Sequence, residues 1–216
     1  MAIEVQGKVG PQSLGQSLGD GSLVDPYLGK QAQTIVQDFA PRYTEVGYRG
    51  LSFCACNQAS QAISNLSTTQ TGFLLINPLG SGRVFWLLDI IIAESSAIGS
   101  VVPAVGLAAN TTPAALTAYT LSAANALTVQ PTLIGGPAVS AAKVYLSSTL
   151  PVAPVYVRSI WGGLDLGTAP TVGAPNPYVK DEVAGAIGIT PGCSVSLTST
   201  AAISAIASMT WLELPL

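Results

Sequence analysis

The chain has 216 residues, of which 49% are hydrophobic and only 9% are charged, with a formal net charge of −3 and no histidine. Soluble domains usually carry about 25% charged residues, so this surface is unusually neutral, and the acidic balance offers no basic patch for nucleic acid. The absence of histidine removes the usual general base at neutral pH, and with it the catalytic Ser-His-Asp triad and the Cys-His pair. We therefore expect no enzymatic activity, no metal or cofactor site and no nucleic-acid partner.

Residues 1–46 differ in composition from the rest of the chain. They are rich in glycine, glutamine and serine, and such a segment cannot bury enough apolar surface to order itself. They also contain aromatic and β-branched residues that a spacer would not need. We interpret them as an extended N-terminal arm that orders on a partner, a simple floppy terminus being the alternative. The candidate partner contacts in the arm are Tyr27, Ile35, Val36, Phe39 and Tyr43.

The body, residues 47–216, is predicted to consist of β-strands separated by Gly- and Pro-rich turns such as NPLGSG and TVGAPNP. The Ala-rich stretch 112–128 is either a helix or a loop with short strands. The long connection from about 110 to 140 suggests a Greek-key crossing. We predict an all-β, jelly-roll-like antiparallel β-sandwich with an extended N-terminal arm. The predicted strands are 48–56, 71–77, 83–93, 101–109, 141–147, 154–160, 182–189, 193–199 and 203–214.

The apolar run Val84–Ala93 raises the question of what covers its second face, because a period of two leaves both faces apolar. We expect one face to pack on the opposing sheet and the other on a neighbouring subunit or a returned arm. Burying an acid is costly unless it is paired, so Asp89 either meets a polar group on a partner or is turned to water by a bulge. The candidate subunit-interface residues are Phe85, Leu87, Asp89 and Ile91.

The cysteines and the glycine loop give no chemical site. Cys54, Cys56 and Cys193 lack the further ligands that a metal would need, and we interpret them as small apolar side chains. The loop Gly80–Arg83 lacks the spacing of a phosphate-binding loop and precedes a strand-like run, so we interpret it as a hairpin turn.

Carboxylates and aromatic residues leave two weaker possibilities. A carboxylate pair such as Asp89 and Glu213 would act together only if the fold brought the two side chains into one cleft. Trp86 and Trp211 lie inside apolar runs and are expected in the core. Trp161, beside two glycines, is a weak candidate platform for sugar binding.

No membrane segment or export signal is predicted. A spanning helix needs about 20 mostly apolar residues, whereas the longest apolar run, 84–93, is shorter and contains Asp89. The beginning of the chain, MAIEVQGKVGPQSLG, lacks the apolar core of a signal peptide.

Two motifs resemble structural proteins of tailed bacteriophages. One is FLLINPLGSGRVFWLLDI, an apolar strand ending in Asn-Pro, a Gly-Ser-Gly turn and a long apolar strand. The other is the ending AIGITPGCSVSLTSTAAISAIASMTWLELP, in which a last strand closes on Trp211, Glu213 and Pro215. The resemblance is to jelly-roll virion proteins of the capsid decoration or cement type, and it covers residues 47–216.

The resemblance implies a non-enzymatic capsid decoration protein that binds and stabilises an assembled phage shell. It implies a homotrimeric body, with the N-terminal arm gripping the major capsid protein. Such a protein would be made in the host cytoplasm without a signal peptide and would reside on the virion surface. The alternatives are a tail, baseplate or neck protein, and a carbohydrate-binding, receptor-binding module.

Overall fold

A computed structural model of the chain describes residues 43–95, 104–162 and 178–216. From Tyr43 onward the chain forms a compact unit built from two antiparallel sheets that face each other across a hydrophobic core. The predicted all-β sandwich is confirmed. No helix in these ranges reaches the length and hydrophobicity that crossing a bilayer requires.

Most of the predicted strands begin and end close to their predicted positions, but the strand predicted from residue 48 begins at Ser52, because Tyr48 belongs to a helix. One short helix, α1 (Thr44–Tyr48), precedes them, and two 3₁₀ turns lie at Leu116–Ala118 and Ala123–Asn125. The strands are β1 (Ser52–Cys56), β2 (Gln61–Ile63), β3 (Thr69–Ile76), β4 (Arg83–Glu94), β5 (Ala104–Asn110), β6 (Thr120–Leu121), β7 (Ala126–Leu127), β8 (Gln130–Pro131), β9 (Lys143–Thr149), β10 (Val155–Gly162), β11 (Tyr178–Glu182), β12 (Gly188–Ile189), β13 (Ser194–Ser199) and β14 (Ile203–Pro215).

The strand order is that of a jelly roll. Sheet I runs β11-β4-β14-β1-β8, with β12 added to β4 and β2 added to β14; sheet II runs β10-β5-β13-β3-β9-β6, with β7 added to β9. Most of the longer strands change sheet from one to the next along the chain, except that β5, β9 and β10 all lie in sheet II, and β1 and β14, the first and last described strands, pair side by side in sheet I. This nested arrangement of two Greek keys distinguishes a jelly roll from a simple meander.

The region between β5 and β9 is a loop with short strands, one of the two predicted alternatives. It carries the chain from β5 to the opposite edge of sheet II, where β9 pairs with β3. Tyr119 and Leu150 pack there on Leu74 and Ile76, which point away from the main core. The long connection therefore covers part of the outer surface of sheet II with a second, smaller apolar cluster.

The strand predicted at 182–189 is wrong as a continuous strand: β11 ends at Glu182, and of the remaining residues only Gly188 and Ile189 are extended, as β12. A turn separates them, in which Ala184 and Gly185 have positive φ angles of 54° and 81°. These left-handed conformations interrupt the extended backbone, and the sequence pattern alone does not reveal them because Ala184 is a residue that rarely adopts them.

The compact unit begins at Tyr43 rather than at the predicted Gly47. Helix α1 is attached to the body through close backbone approach: a Cβ at Gly50, whose φ is +69°, would lie only 2.8 Å from the Cβ of Ala138. Tyr43 is half-buried immediately before the helix. The other predicted arm contacts, Tyr27, Ile35, Val36 and Phe39, lie outside the described residues.

Candidate interaction surfaces

The outer face of sheet I is the surface of β4, β14 and β1 that points away from the core. Its side chains are mostly half-buried and mostly apolar, and directly opposed pairs such as Trp86 with Leu212 and Val84 with Leu214 lie side by side across β4 and β14. Ile206, opposite Ala93, is 41% exposed. The members of this face are Val84, Trp86, Asp89, Ile91, Ala93, Ile206, Ser208, Thr210, Leu212, Leu214, Cys54 and Cys56.

A β-bulge in β4 decides which residues belong to this face. Thr210 opposes Asp89 and Trp211 opposes Leu87, so Leu88 has no partner on β14. One extra residue on one strand reverses the facing of every residue beyond it. The core-facing positions are therefore Phe85 and Leu87 before the bulge and the even-numbered positions from 90 onward after it, and Leu88 at the bulge is buried as well.

The four predicted interface residues are divided between the two faces. Phe85 and Leu87 are completely buried in the core of the chain itself, so their assignment to a subunit interface is wrong. Asp89 and Ile91 lie on the outer face, because the bulge turns both side chains outward. A bulge was one of the two explanations offered for Asp89, and the other, a polar group on a partner, stays a prediction. Trp86 also lies on the outer face rather than in the core.

A polar row crosses the middle of this apolar face. Asp89 is opposed by Thr210 on β14 and by Glu182 on β11, which places two acidic residues side by side. Cys54 opposes Thr210 from the other flank. Burial, the Asp89 carboxylate and the Cys56 thiol all raise the pKa of the Cys54 thiol, so this cysteine is a poor nucleophile.

Glu213 is the most extensively hydrogen-bonded side chain of the body. Its carboxylate is fully buried and accepts hydrogen bonds from Arg83 Nη1 at 2.8 Å, Trp211 Nε1 at 3.1 Å and the backbone N–H of Ala141 at 3.0 Å. The Ser140 hydroxyl also donates to it. The arrangement satisfies a buried charge and fixes the segment around Ser140 against sheet I.

A groove of about 490 Å³ lies beside this anchor, and we call it the side groove. It is lined by residues 126, 127 and 129–131, by residues 136–140, and by residues 142–145 at the beginning of β9. Most of the lining side chains are apolar, and Gln130, Ser140, Lys143 and Tyr145 are the exceptions. The volume lies within the usual range of ligand sites, about 300–1,000 Å³.

A smaller depression of about 280 Å³ adjoins the side groove, with which it shares Pro131 and residues 136–138. Its other lining residues come from the end of α1 and from Leu133. Tyr48 and Ile134 are strongly exposed here, at 71% and 80% of their surface. The region around the 131–140 loop is thus a second apolar surface, separate from the outer face of sheet I.

The sugar-platform candidate, Trp161, is half-buried and packs against the main core. Its strand, β10, is joined to the other sheet by a bidentate ion pair in which Arg158 donates to Asp181 at 2.7 and 2.8 Å. The indole therefore lies where the two sheets are joined, and only part of its surface is exposed to solvent.

The fold does not bring the predicted carboxylate pair, Asp89 and Glu213, together. Asp89 faces outward, whereas Glu213 points into the core, so the two lie on opposite faces of sheet I. Asp181 is engaged with Arg158. Within residues 43–95, 104–162 and 178–216, no three acidic or cysteine side chains come together as metal binding would require.

Glu94, at the end of β4, differs from Glu213 because both of its buried carboxylate oxygens lack a hydrogen-bond partner. Burial raises its pKa above the ordinary value of 4.5. The folded protein therefore holds this proton more tightly than the unfolded chain. The resulting stabilisation is complete below the ordinary pKa and is lost as the pH rises through the raised pKa.

We predict that Glu94→Gln raises the free energy of unfolding at pH 7 by about 1 kcal/mol, because it removes an unpaired buried charge. Thermal unfolding monitored by circular dichroism at several pH values between 4 and 8 measures this effect. The gain should shrink towards pH 4, where the wild-type carboxyl is protonated. Glu45→Gln, on the exposed surface of α1, is the matched control, and an equal gain in that variant would contradict the explanation.

No protein-family model, curated protein or solved structure matches this chain.

Proposed function

We propose that this protein is a non-enzymatic structural component of a bacteriophage virion, of the capsid decoration type. The observation that carries the proposal is the outer face of sheet I, a broad, mostly apolar surface on a chain with only 9% charged residues. An isolated protein with such a surface would tend to self-associate. The jelly-roll strand order, which is common in viral shell proteins, also supports the proposal.

In this proposal, three copies associate through the outer face of sheet I. Interfaces are enriched in aromatic residues, and the apolar residues of this face lie on both sides of the Asp89 row, Trp86 and Leu212 towards one end and Ile91 and Ile206 towards the other. Closed symmetry limits the association to a defined number of copies. The N-terminal arm would contact the major capsid protein, and binding to the assembled shell but not to its separated subunits would stabilise the shell.

A position in the tail, baseplate or neck would use the same surface and belongs to the same class of function. The carbohydrate-binding alternative has less support, because Trp161 packs against the core instead of standing free in a loop. It therefore remains outside the proposal.

We predict that the purified full-length chain has about three times its single-chain mass of 21.9 kDa in size-exclusion chromatography with light scattering. Ile91→Asp should shift it to the single-chain mass, since an added charge would be buried within the interface, while its circular dichroism spectrum stays unchanged. Leu79→Asp, in the exposed hairpin turn, is the control and should keep the assembly. A wild-type monomer, or an Ile91→Asp variant of unchanged mass, would refute the proposed interface.

The virion location has its own test. Peptide mass spectrometry of purified particles should find this chain in many copies per particle, and gold-labelled antibody should decorate the shell in electron micrographs. Label confined to the tail would assign the protein to the tail or neck, and absence from purified particles would refute the proposal.

A further inference from the structure

We propose that the side groove binds an extended segment of a second copy of this chain, residues 34–40, with the sequence TIVQDFA. The bound segment would add backbone hydrogen bonds along residues 138–140 and would place Asp38 near Lys143. The inference rests on the proposed association of copies and names a second contact through which the copies are joined.

The first support is the unpaired backbone on one wall of the groove. In the part of the chain that the structure describes, the N–H groups of Ala138, Val139 and Ser140 donate to no other group. The residues on either side do have partners, since the Gly136 N–H donates to Leu133 O and the Ala141 N–H to Glu213. Unpaired backbone beside a groove is the feature to which an added strand binds.

The second support is the apolar lining. Val139 is 80% exposed, and Leu127, Val129 and Pro137 line the same groove. A strand presents alternate side chains to the surface on which it lies. An occupant with bulky apolar residues would therefore cover these side chains while its backbone pairs with the wall.

The third support is charge. Lys143 is the sole charged residue between Ser95 and Val157 of the sequence, and it lies in the groove. It makes no ion pair among the described residues. In so neutral a region, one unpaired ammonium favours an occupant that carries one carboxylate.

Residues 34–40 meet these three requirements. They contain Ile35, Val36 and Phe39 together with one carboxylate, Asp38, and they have no proline before Pro41, so every residue offers an N–H group. Two other apolar and acidic stretches occur in the first 42 residues. LVDPYL at 23–28 is interrupted by Pro26, which cannot donate within a ladder, and AIEV at 2–5 is shorter and contains no aromatic residue. Exchange of the segment between copies would let each copy give one segment and receive another, an arrangement that is compatible with closed symmetry.

The test uses two full-length variants, Val36→Cys and Val139→Cys, mixed, allowed to exchange subunits and treated with a short bismaleimide. We expect a cross-linked dimer on denaturing gels from the mixture, and little from either variant alone. Mixing Val36→Cys with Leu79→Cys, which places the second thiol on an exposed turn outside the groove, is the control. Equal cross-linking in that control would overturn the site.

Charge reversal adds a specific test. Lys143→Glu, introduced into the Val139→Cys chain, and Asp38→Lys, introduced into the Val36→Cys chain, should each lower the cross-linked yield at least several-fold, and the combination should restore it. A cross-linked yield that these substitutions leave unchanged would overturn the predicted pairing of Asp38 with Lys143. A cross-link formed only within a single chain carrying Val36→Cys and Val139→Cys overturns binding between copies. A trimer found by light scattering without any of these cross-links would overturn this inference and leave the proposed function standing.

Discussion

Replacing Phe85 with alanine should lower the free energy of unfolding by about 3–5 kcal/mol. The Phe85 side chain is completely buried and lies in the main core between the two sheets. Removing the ring deletes its apolar contacts and leaves a cavity that the two sheets can fill only partly. Urea or guanidinium unfolding followed by tryptophan fluorescence measures the loss.

Ile91→Ala is the matched control, because Ile91 lies on the same strand beyond the bulge and faces outward. We expect it to cost about 1 kcal/mol or less in the dissociated chain. If the two substitutions were equally damaging at a concentration where the protein is monomeric, the assignment of Phe85 to the inner face and Ile91 to the outer face would be wrong.

The second large effect is expected for Glu213→Ala, at roughly 3 kcal/mol of lost stability. The substitution leaves the buried Trp211 N–H and the Ala141 N–H without their acceptor, and an unsatisfied buried donor costs about 1–3 kcal/mol. It also removes the partner of Arg83, which is 39% exposed and so retains water as a substitute. Chemical unfolding measures the loss.

Glu45→Ala serves as the control for this variant. Glu45 forms an ion pair with Arg49 on the surface of α1, with both side chains more than half exposed, and such pairs contribute about 0.3–0.5 kcal/mol. Glu213→Ala should also increase hydrogen exchange at residues 139–142, because Glu213 holds this segment. Unchanged exchange there would mean that the segment is fixed by other contacts.

The fold class and most of the longer strands were accessible from the sequence, because alternation of apolar residues and turn chemistry are local signals. The turn at NPLGSG and the last strand through Trp211 both follow from such patterns. For residues 112–128 the same local signals left two alternatives, a helix or a loop with short strands, and the structure has the loop with short strands.

The division of β4 into inner and outer residues was not accessible. A bulge is defined by the partner strand, and nothing around Leu88 in the sequence indicates that β14 skips that position. The interface prediction therefore failed for Phe85 and Leu87 and stands untested for Asp89 and Ile91.

The surroundings of Glu213 and the side groove were also beyond local reasoning. Glu213 is bonded to Arg83 and Ser140, which are 130 and 73 positions away along the chain. The groove exists because β8 attaches to β1 while β7 attaches to β9. Such contacts depend on the complete topology, and the sequence offers only the isolated Lys143 as a clue.

The position of β14 in the middle of sheet I has a consequence for folding. β14 follows every other described strand along the chain, yet it lies between β4 and β1 and pairs with both. Sheet I is complete only when β14 pairs with two strands that lie far earlier in the chain, and such long-range pairing is slow. Until it forms, β4 and β1 each present an unpaired apolar edge, which favours aggregation of the incompletely folded protein.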